Sequence, residues 1–206
     1  IPGQYYLPKL LQSFRKNYPD ITFNIQMMDS SQVVDCVATR GAEIGFCGTM
    51  IDSPKCVYRE FAQDRLVIVT PNTPEYQQYL KTGFPTAQIM KETFISRESG
   101  SGTRKETEAF LAAMGVDPSR LNVAIEVQAT ENIKQMVSEG LGIAVLSRSA
   151  AENYCEFNRL LAFDFDNVSM RRKLYLVRHK NGVLSPIAQA FYSFAEEYYA
   201  EAEEHK

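Results

Sequence analysis

With 206 residues, 45% apolar and 23% charged, the chain is long enough to bury a sizeable core, as one domain or two small lobes, and has an ordinary globular composition. A net charge of −3 argues against nucleic-acid binding by this segment alone, no apolar run is long enough to cross a bilayer, and no secretory signal opens the chain. Four cysteines without CxxC spacing and two distant histidines argue against a metal site and a disulfide framework, and suit a reducing, cytoplasmic setting.

Leu7, Leu10, Leu11, Phe14 and Tyr18 recur at helical spacing, which predicts an amphipathic helix over 4–17 that Pro19 stops. Pro8 lies near its start, where a missing N–H is tolerated. Ile21, Phe23, Ile25 and Met27 alternate, which predicts a strand with one buried face. Ser30 or Ser31 is placed to cap the next helix, whose apolar side is Val33, Val34, Val37 and Ala38 and which Gly41 ends. "AEIGFCG" and "RLVIVTP" read as short buried strands, and "TFISR" as a strand that runs into the loop "ESGSGT". Residues 103–114 are expected to be helical, with Phe110, Leu111 and Met114 facing inward. Then come a strand, "NVAIEV", and a helix, "TENIKQMVSEG", with Thr130 as cap and Gly140 as stop. "IAVLS", "RLLAFDF" and "RKLYLVRH" are three further strands. A helix from Ser185 to about Glu203, with Pro186 in its first turn, closes the chain, and its polar end "EEYYAEAEEHK" is expected to fray. Strands alternating with helices in two successive sets predict α/β lobes with mostly parallel sheets. With no low-complexity linker, ordered strands are expected to cross the boundary.

In open α/β sheets ligands gather where strands end and helices begin. Three such junctions carry hydroxyls: Asp29-Ser30-Ser31, Ser99-Gly100-Ser101-Gly102-Thr103, and Ala129-Thr130-Glu131. Each is either a simple helix cap or an anion contact, because free N–H groups and the helix dipole favour negative charge there. The second junction is richer than a cap requires: its two glycines let the backbone approach a ligand, and it offers three hydroxyls. The hydroxyls of Ser101 and Thr103 and the N–H groups near Gly102 are expected to face one anion. No Gly-Lys-Ser/Thr follows, so the loop is not a nucleotide P-loop. Gly48 and Thr49 at the end of "EIGFCGT" form either a turn or part of the same cleft. Arg97 is placed to pair with an anionic ligand or with a neighbouring acid such as Glu98, and Cys47 reads as a small buried hydrophobe. No His pairs with a Ser, Cys or carboxylate in a hydrolase arrangement, so nothing positive supports catalysis.

The blocks "YYLPKLLQSFRKNYPDITF", "GAEIGFCG", "RLVIVTP", "FISRESGSGTR", "ENIKQMVSEGLGIAVLSRSA" and "RKLYLVRHKNGVLSPIAQAFYSF" resemble, in order and over almost the whole chain, the regulatory domain of LysR-type transcriptional regulators. "RESGSGTR" looks most like the branch with CysL- and CbbR-type regulators. The resemblance implies two Rossmann-like α/β lobes joined by two crossing strands, similar to type 2 periplasmic binding proteins. The crossings would fall at about Val67–Pro71 and Lys173–Val177, giving lobe one residues 1–69 and 175–206 and lobe two residues 70–174. It also implies a small anionic effector between the lobes, at Ser30, Ser31, Gly48, Thr49, Ser99, Gly100, Ser101, Gly102, Thr103 and Thr130. No cofactor, no metal and no membrane is implied. The expected partners are a second copy of the chain, as a homodimer or higher homo-oligomer, and DNA only through an N-terminal domain absent from this chain. The family also carries a strand and a Ser/Thr-bearing turn before the segment matching Ile1-Pro2-Gly3. The given sequence is therefore expected to be a piece of a longer chain, with a gap in the sheet of lobe one. The rival reading is an oxyanion-binding protein of a transport system with the same fold. An enzyme would need a positioned acid, base or nucleophile.

Overall fold

Leu7, Leu10 and Phe14, spaced for one helix face, are all buried in the computed structural model, which describes residues 1–166 and 168–204. They lie on α1 (Leu7–Asn17), which follows one wide π turn, Pro2–Tyr6, and ends as the Tyr18 N–H donates to the Phe14 carbonyl. The segment after Pro19 is the first departure from expectation, because no strand forms over 21–27. Ile21 and Phe23 pack against the core, but Ile25 and Met27 are exposed, and among the described residues no neighbouring strand supplies a ladder. Alternation fixes which side chains share a face; a strand also needs an edge to pair with.

Helix α2 (Ser30–Ala38) is capped by Asp29, not by either serine. Asp29 Oδ1 accepts from the Gln32 N–H at 2.8 Å and the Gln32 side chain accepts from the Asp29 N–H at 3.2 Å, a reciprocal capping box. Arg40, not Gly41, takes the left-handed turn that ends it, with φ 61°. Strand β1 (Ile44–Cys47) pairs antiparallel with β7 (Met170–His179), Ile44 opposite Arg178. One core holds Leu10, Phe14, Phe61, Leu174, Leu176 and Phe191, the last from α8 (Pro186–Glu204); a smaller one holds Val34, Val37, Cys47, Cys56 and Val177. His205 and Lys206, at the end of the stretch expected to fray, lie outside the described residues.

Gly45 is where α2 seats on this sheet. A Cβ there would stand 2.6 Å from Val33 Cγ1 and 2.7 Å from Val177 Cγ1. Gly45→Ala is expected to lower stability by about 1–3 kcal/mol through overpacking, read from the urea midpoint. An unchanged midpoint would show that α2 does not pack this closely.

Strand β2 (Cys56–Pro71) is longer than "RLVIVTP", beginning nine residues earlier than Arg65. It leads to two short helices, α3 (Pro74–Gln77) and α4 (Tyr79–Thr82), and a 3₁₀ turn, Thr86–Lys91. Then follow β3 (Phe94–Arg97), α5 (Gly102–Ala113), a 3₁₀ turn at Pro118–Arg120, β4 (Val123–Val127) and α6 (Thr130–Ser138). β5 (Ala144–Ser147), α7 (Arg148–Glu156) and β6 (Leu160–Phe163) complete the set, α7 being a helix that the sequence did not signal. Leu66 and Ile68 of β2 point into one core with Val145 and Phe163, and Val67 and Val69 into another with Ala144, Leu146 and Leu160. This sheet is buried on both faces, which is why its strands read as continuous apolar runs.

The pairing is mixed, not mostly parallel. β3 runs parallel to β4, whereas β2 runs antiparallel to β5 and β6. The reason is the division of the chain into two compact units, Ile1–Gln63 with Lys173–Lys206 and Asp64–Arg172. β2 and β7 each belong to both units, one leaving and one returning, and the five-stranded sheet that holds them pairs β1 with β7 and β2 with β5 and β6 in antiparallel sense. The change of unit falls between Gln63 and Asp64 and between Arg172 and Lys173, a few residues before the positions expected from the sequence.

Candidate functional site

In the first unit, Ser30 and Ser31 open α2 behind the Asp29 cap, so their hydroxyls are released from capping. Ser30 is buried, and its Oγ accepts from the Gly48 N–H at 3.2 Å. This bond ties the start of α2 to the end of β1, where Thr49 is also buried. The structure thus brings together Ser30 and Gly48, with Thr49 next in the chain; Ser31 is half-buried beside them. Cys47 is buried, and burial pushes its thiol up to about 12, so it stays protonated and unreactive.

In the second unit the glycine-rich loop begins α5. Ser101 is the cap, its Oγ accepting from the Arg104 N–H at 3.5 Å. Gly102 and Thr103 form the first turn, with their backbone N–H groups among those left over at a helix start. Thr103 does not turn its hydroxyl to the same partner as Ser101. Its Oγ1 accepts from Arg172 Nη1 at 3.0 Å. Arg172 also donates from Nε and Nη2 to Asp64 Oδ2, at 2.9 and 2.7 Å, and Ser147 donates to Asp64 Oδ1 at 2.7 Å. The Arg172 and Asp64 side chains are 1% exposed. Ser99 and Gly100 lead into this turn, and the Ser101 N–H closes it on the Glu98 carbonyl at 3.0 Å.

Thr130 is the first residue of α6, not its cap; the cap position is Ala129, which offers no side chain for the role. The Thr130 hydroxyl instead accepts from Arg97 Nη1 at 3.0 Å, while Arg97 Nε and Nη2 engage both oxygens of Glu98 at 2.8 Å. Arg97 therefore pairs with its neighbour, and the Arg97 carbonyl accepts from Arg104 Nη1 at 3.1 Å. A hydrogen bond with Glu108 and another with Glu126 hold the Arg104 guanidinium firmly charged. One run of hydrogen bonds thus links Thr130, Arg97, Arg104 and Ser101, and a second links Thr103, Arg172, Asp64 and Ser147.

Asp64, Arg172 and Ser147 were not picked out in the sequence, although a signal exists. Ala62, Asp64, Leu66 and Ile68 share one face of β2, and Met170, Arg172, Leu174 and Leu176 one face of β7, all buried. Each apolar face is interrupted by one charge, and the two charges are opposite. That is the pattern of a buried pair. Among the described residues, no group of three or more His, Cys, Asp or Glu is placed to hold a metal ion.

Two α/β units threaded by two shared strands, with buried hydroxyls at their helix starts, define a ligand-binding domain of the type 2 periplasmic-binding-protein architecture. The family model for the LysR substrate binding domain matches residues 1–200, and the chain belongs to that family. It is 29% identical, over 93% of its length, to the HTH-type transcriptional activator CmpR of Synechocystis sp., and 28% identical, again over 93%, to the HTH-type transcriptional regulator CbbR of Rhodospirillum rubrum. It is also 29% identical, over 94% of its length, to the phosphonates import ATP-binding protein PhnC of Anaeromyxobacter dehalogenans. The chain spans 62% of the two regulators and 38% of the PhnC protein. Among solved structures, the regulatory domain of Synechocystis PCC6803 CcmR in complex with 2-PG matches with a TM-score of 0.83 and 25% identity, covering 95% of this chain and 92% of that one.

Proposed function

We propose that this chain is the effector-sensing domain of a LysR-type transcriptional regulator and that its effector is a small anionic metabolite. The carrying observation is the start of α5, where Ser101 and Thr103 are buried beside helix N–H groups. The 2-PG complex of the CcmR domain supports an anion as the ligand class. In the second unit Ser99, Gly100, Ser101, Gly102, Thr103 and Thr130 are the proposed contacts; in the first, Ser30, Ser31, Gly48 and Thr49. Binding without catalysis, action in the cytoplasm, self-association of this domain and DNA reading by a separate N-terminal domain belong to the same proposal. Among the described residues, no helix is long and apolar enough to cross a membrane.

The test is calorimetric titration of 2-PG into the wild type and Ser101→Asp. Asp is as good a cap as Ser, so the melting temperature is expected to hold. Its charge stands where the anion's must, and affinity is expected to fall about a hundredfold, roughly 2.7 kcal/mol. Equal affinity in both proteins would show that this loop is only a cap.

The similarity to the PhnC protein favours a second reading, an oxyanion-binding component of a transport system. The coding sequence upstream of Ile1 separates the two. A helix-turn-helix supports regulation, and a secretory leader supports transport.

A further inference from the structure

The loop that opens α5 holds Gly100 and Gly102, so it is a stretch with much backbone freedom to lose. An arginine closes it. Arg104, in the first turn of α5, donates from Nη1 to the carbonyl of Arg97, the last residue of β3, at 3.1 Å. That bond spans the whole loop from strand to helix, whereas the turn bond from the Ser101 N–H to the Glu98 carbonyl closes only its first part. Arg104 is itself fixed from two sides. Its Nε donates to Glu108 Oε1 at 2.7 Å, one turn further along α5, and its Nη1 also donates to Glu126 Oε2 at 2.6 Å, on β4. β4 pairs with β3, Ser96 opposite Glu126 and Arg97 opposite Val127. The strand that supplies the accepting carbonyl and the strand that supplies the holding carboxylate are therefore neighbours.

We infer that Arg104 is a positioning residue: it joins the end of β3 to the start of α5 and holds the 98–103 loop in the shape that meets the effector, while Glu108 and Glu126 hold Arg104. This rests on the reading that the α5 start contacts the effector. The charge of Arg104 is already matched by two carboxylates of the protein, so its part is geometric. A planar guanidinium serves acceptors on β3, β4 and α5 at once, and a lysine ammonium cannot reproduce that fork. Stability does not account for the arrangement. The side chains of Arg104, Glu108 and Glu126 are 28%, 44% and 53% exposed, and ion pairs that reach solvent add little to stability. Order does account for it. A loop fixed beforehand loses less entropy when its ligand arrives, so the same contacts bind more weakly once the loop is released.

The experiment compares wild type, Arg104→Lys and Glu126→Gln by calorimetric titration with 2-PG and by amide hydrogen exchange without it. Arg104→Lys is expected to bind 2-PG about tenfold more weakly, with a melting temperature close to that of wild type. Its amides over 98–104 are expected to exchange faster, while those of β3, β4 and the rest of α5 keep their rates. Glu126→Gln, at an exposed position outside the proposed contacts, is expected to move both readouts the same way, by about threefold. Should Arg104→Lys fail to fold, Glu126→Gln decides. Faster exchange throughout the second unit with a lower melting temperature would make Arg104 merely structural and overturns this inference. Equal 2-PG affinity in wild type and Arg104→Lys also overturns it and leaves the effector site standing. So does weaker binding with unchanged exchange in the loop, because Arg104 would then be a direct contact. No binding of 2-PG by wild type overturns the effector reading of this loop, while the exchange rates still decide whether Arg104 fixes it.

Discussion

Arg172→Met is expected to destabilise the chain by about 3–5 kcal/mol, because it leaves the Asp64 carboxylate buried without its counter-charge. Both side chains are 1% exposed, and the pair is tied by two charge-assisted bonds, so neither partner can be rehydrated without opening the unit. For a chain of this length the loss corresponds to a drop in melting temperature of about 10 °C. Replacing both partners removes the orphan. Asp64→Leu with Arg172→Met is therefore expected to recover most of the loss, since a buried ion pair adds little net stability over apolar residues of similar volume. The single and double variants are compared with wild type by calorimetry without added anions. Equal melting of the single variant and wild type would mean that Asp64 is not held in a dry site.

The second large effect is expected at Gly142. Its φ of +154° is a conformation that residues with a Cβ rarely adopt, and a Cβ there would run into the carbonyl oxygen of Thr93. That oxygen is already the acceptor for the Ile143 N–H at 2.8 Å, and the Ile143 carbonyl accepts in turn from the Ile95 N–H at 2.8 Å. These two bonds hold the start of β3 against the entry to β5. Gly142→Ala must therefore strain the backbone and push apart a hydrogen-bonded pair, at a cost of roughly 2–4 kcal/mol. Gly140, two residues earlier, is the control. It is also left-handed, with φ +82°, but nothing stands within 4 Å of its missing Cβ. Gly140→Ala is expected to cost only the conformational penalty, about 1–2 kcal/mol. Urea unfolding of the two variants gives the difference. If they match, the contact with Thr93 is not what selects glycine at 142.

What the sequence by itself determined is the alternation of elements. Helices α1, α2, α5, α6 and α8 form where the apolar residues recur at helical spacing, and β1 and β3 to β7 form where short apolar runs stand between turn residues. The loop before α5 was legible too, because two glycines and three hydroxyls exceed what a cap needs. These are local properties, set by residues within one or two turns of each other. The tertiary structure alone decided the rest. Residues 21–27 have a strand's alternation but form no strand, because pairing depends on a neighbour that periodicity cannot supply. "SRSAAENYCE" carries little apolar signal, yet forms α7 because Ala150 and Ala151 find a core to pack against. The capping roles of Ser30 and Thr130 passed to Asp29 and to the Ala129 position, freeing both hydroxyls for donors elsewhere in the fold. Most of all, the partner of Thr103 is Arg172, 69 residues away, and the partner of Arg172 is Asp64, 108 residues away. No local pattern records such separations. Which donor a buried hydroxyl accepts from is decided by residues that only folding brings to it.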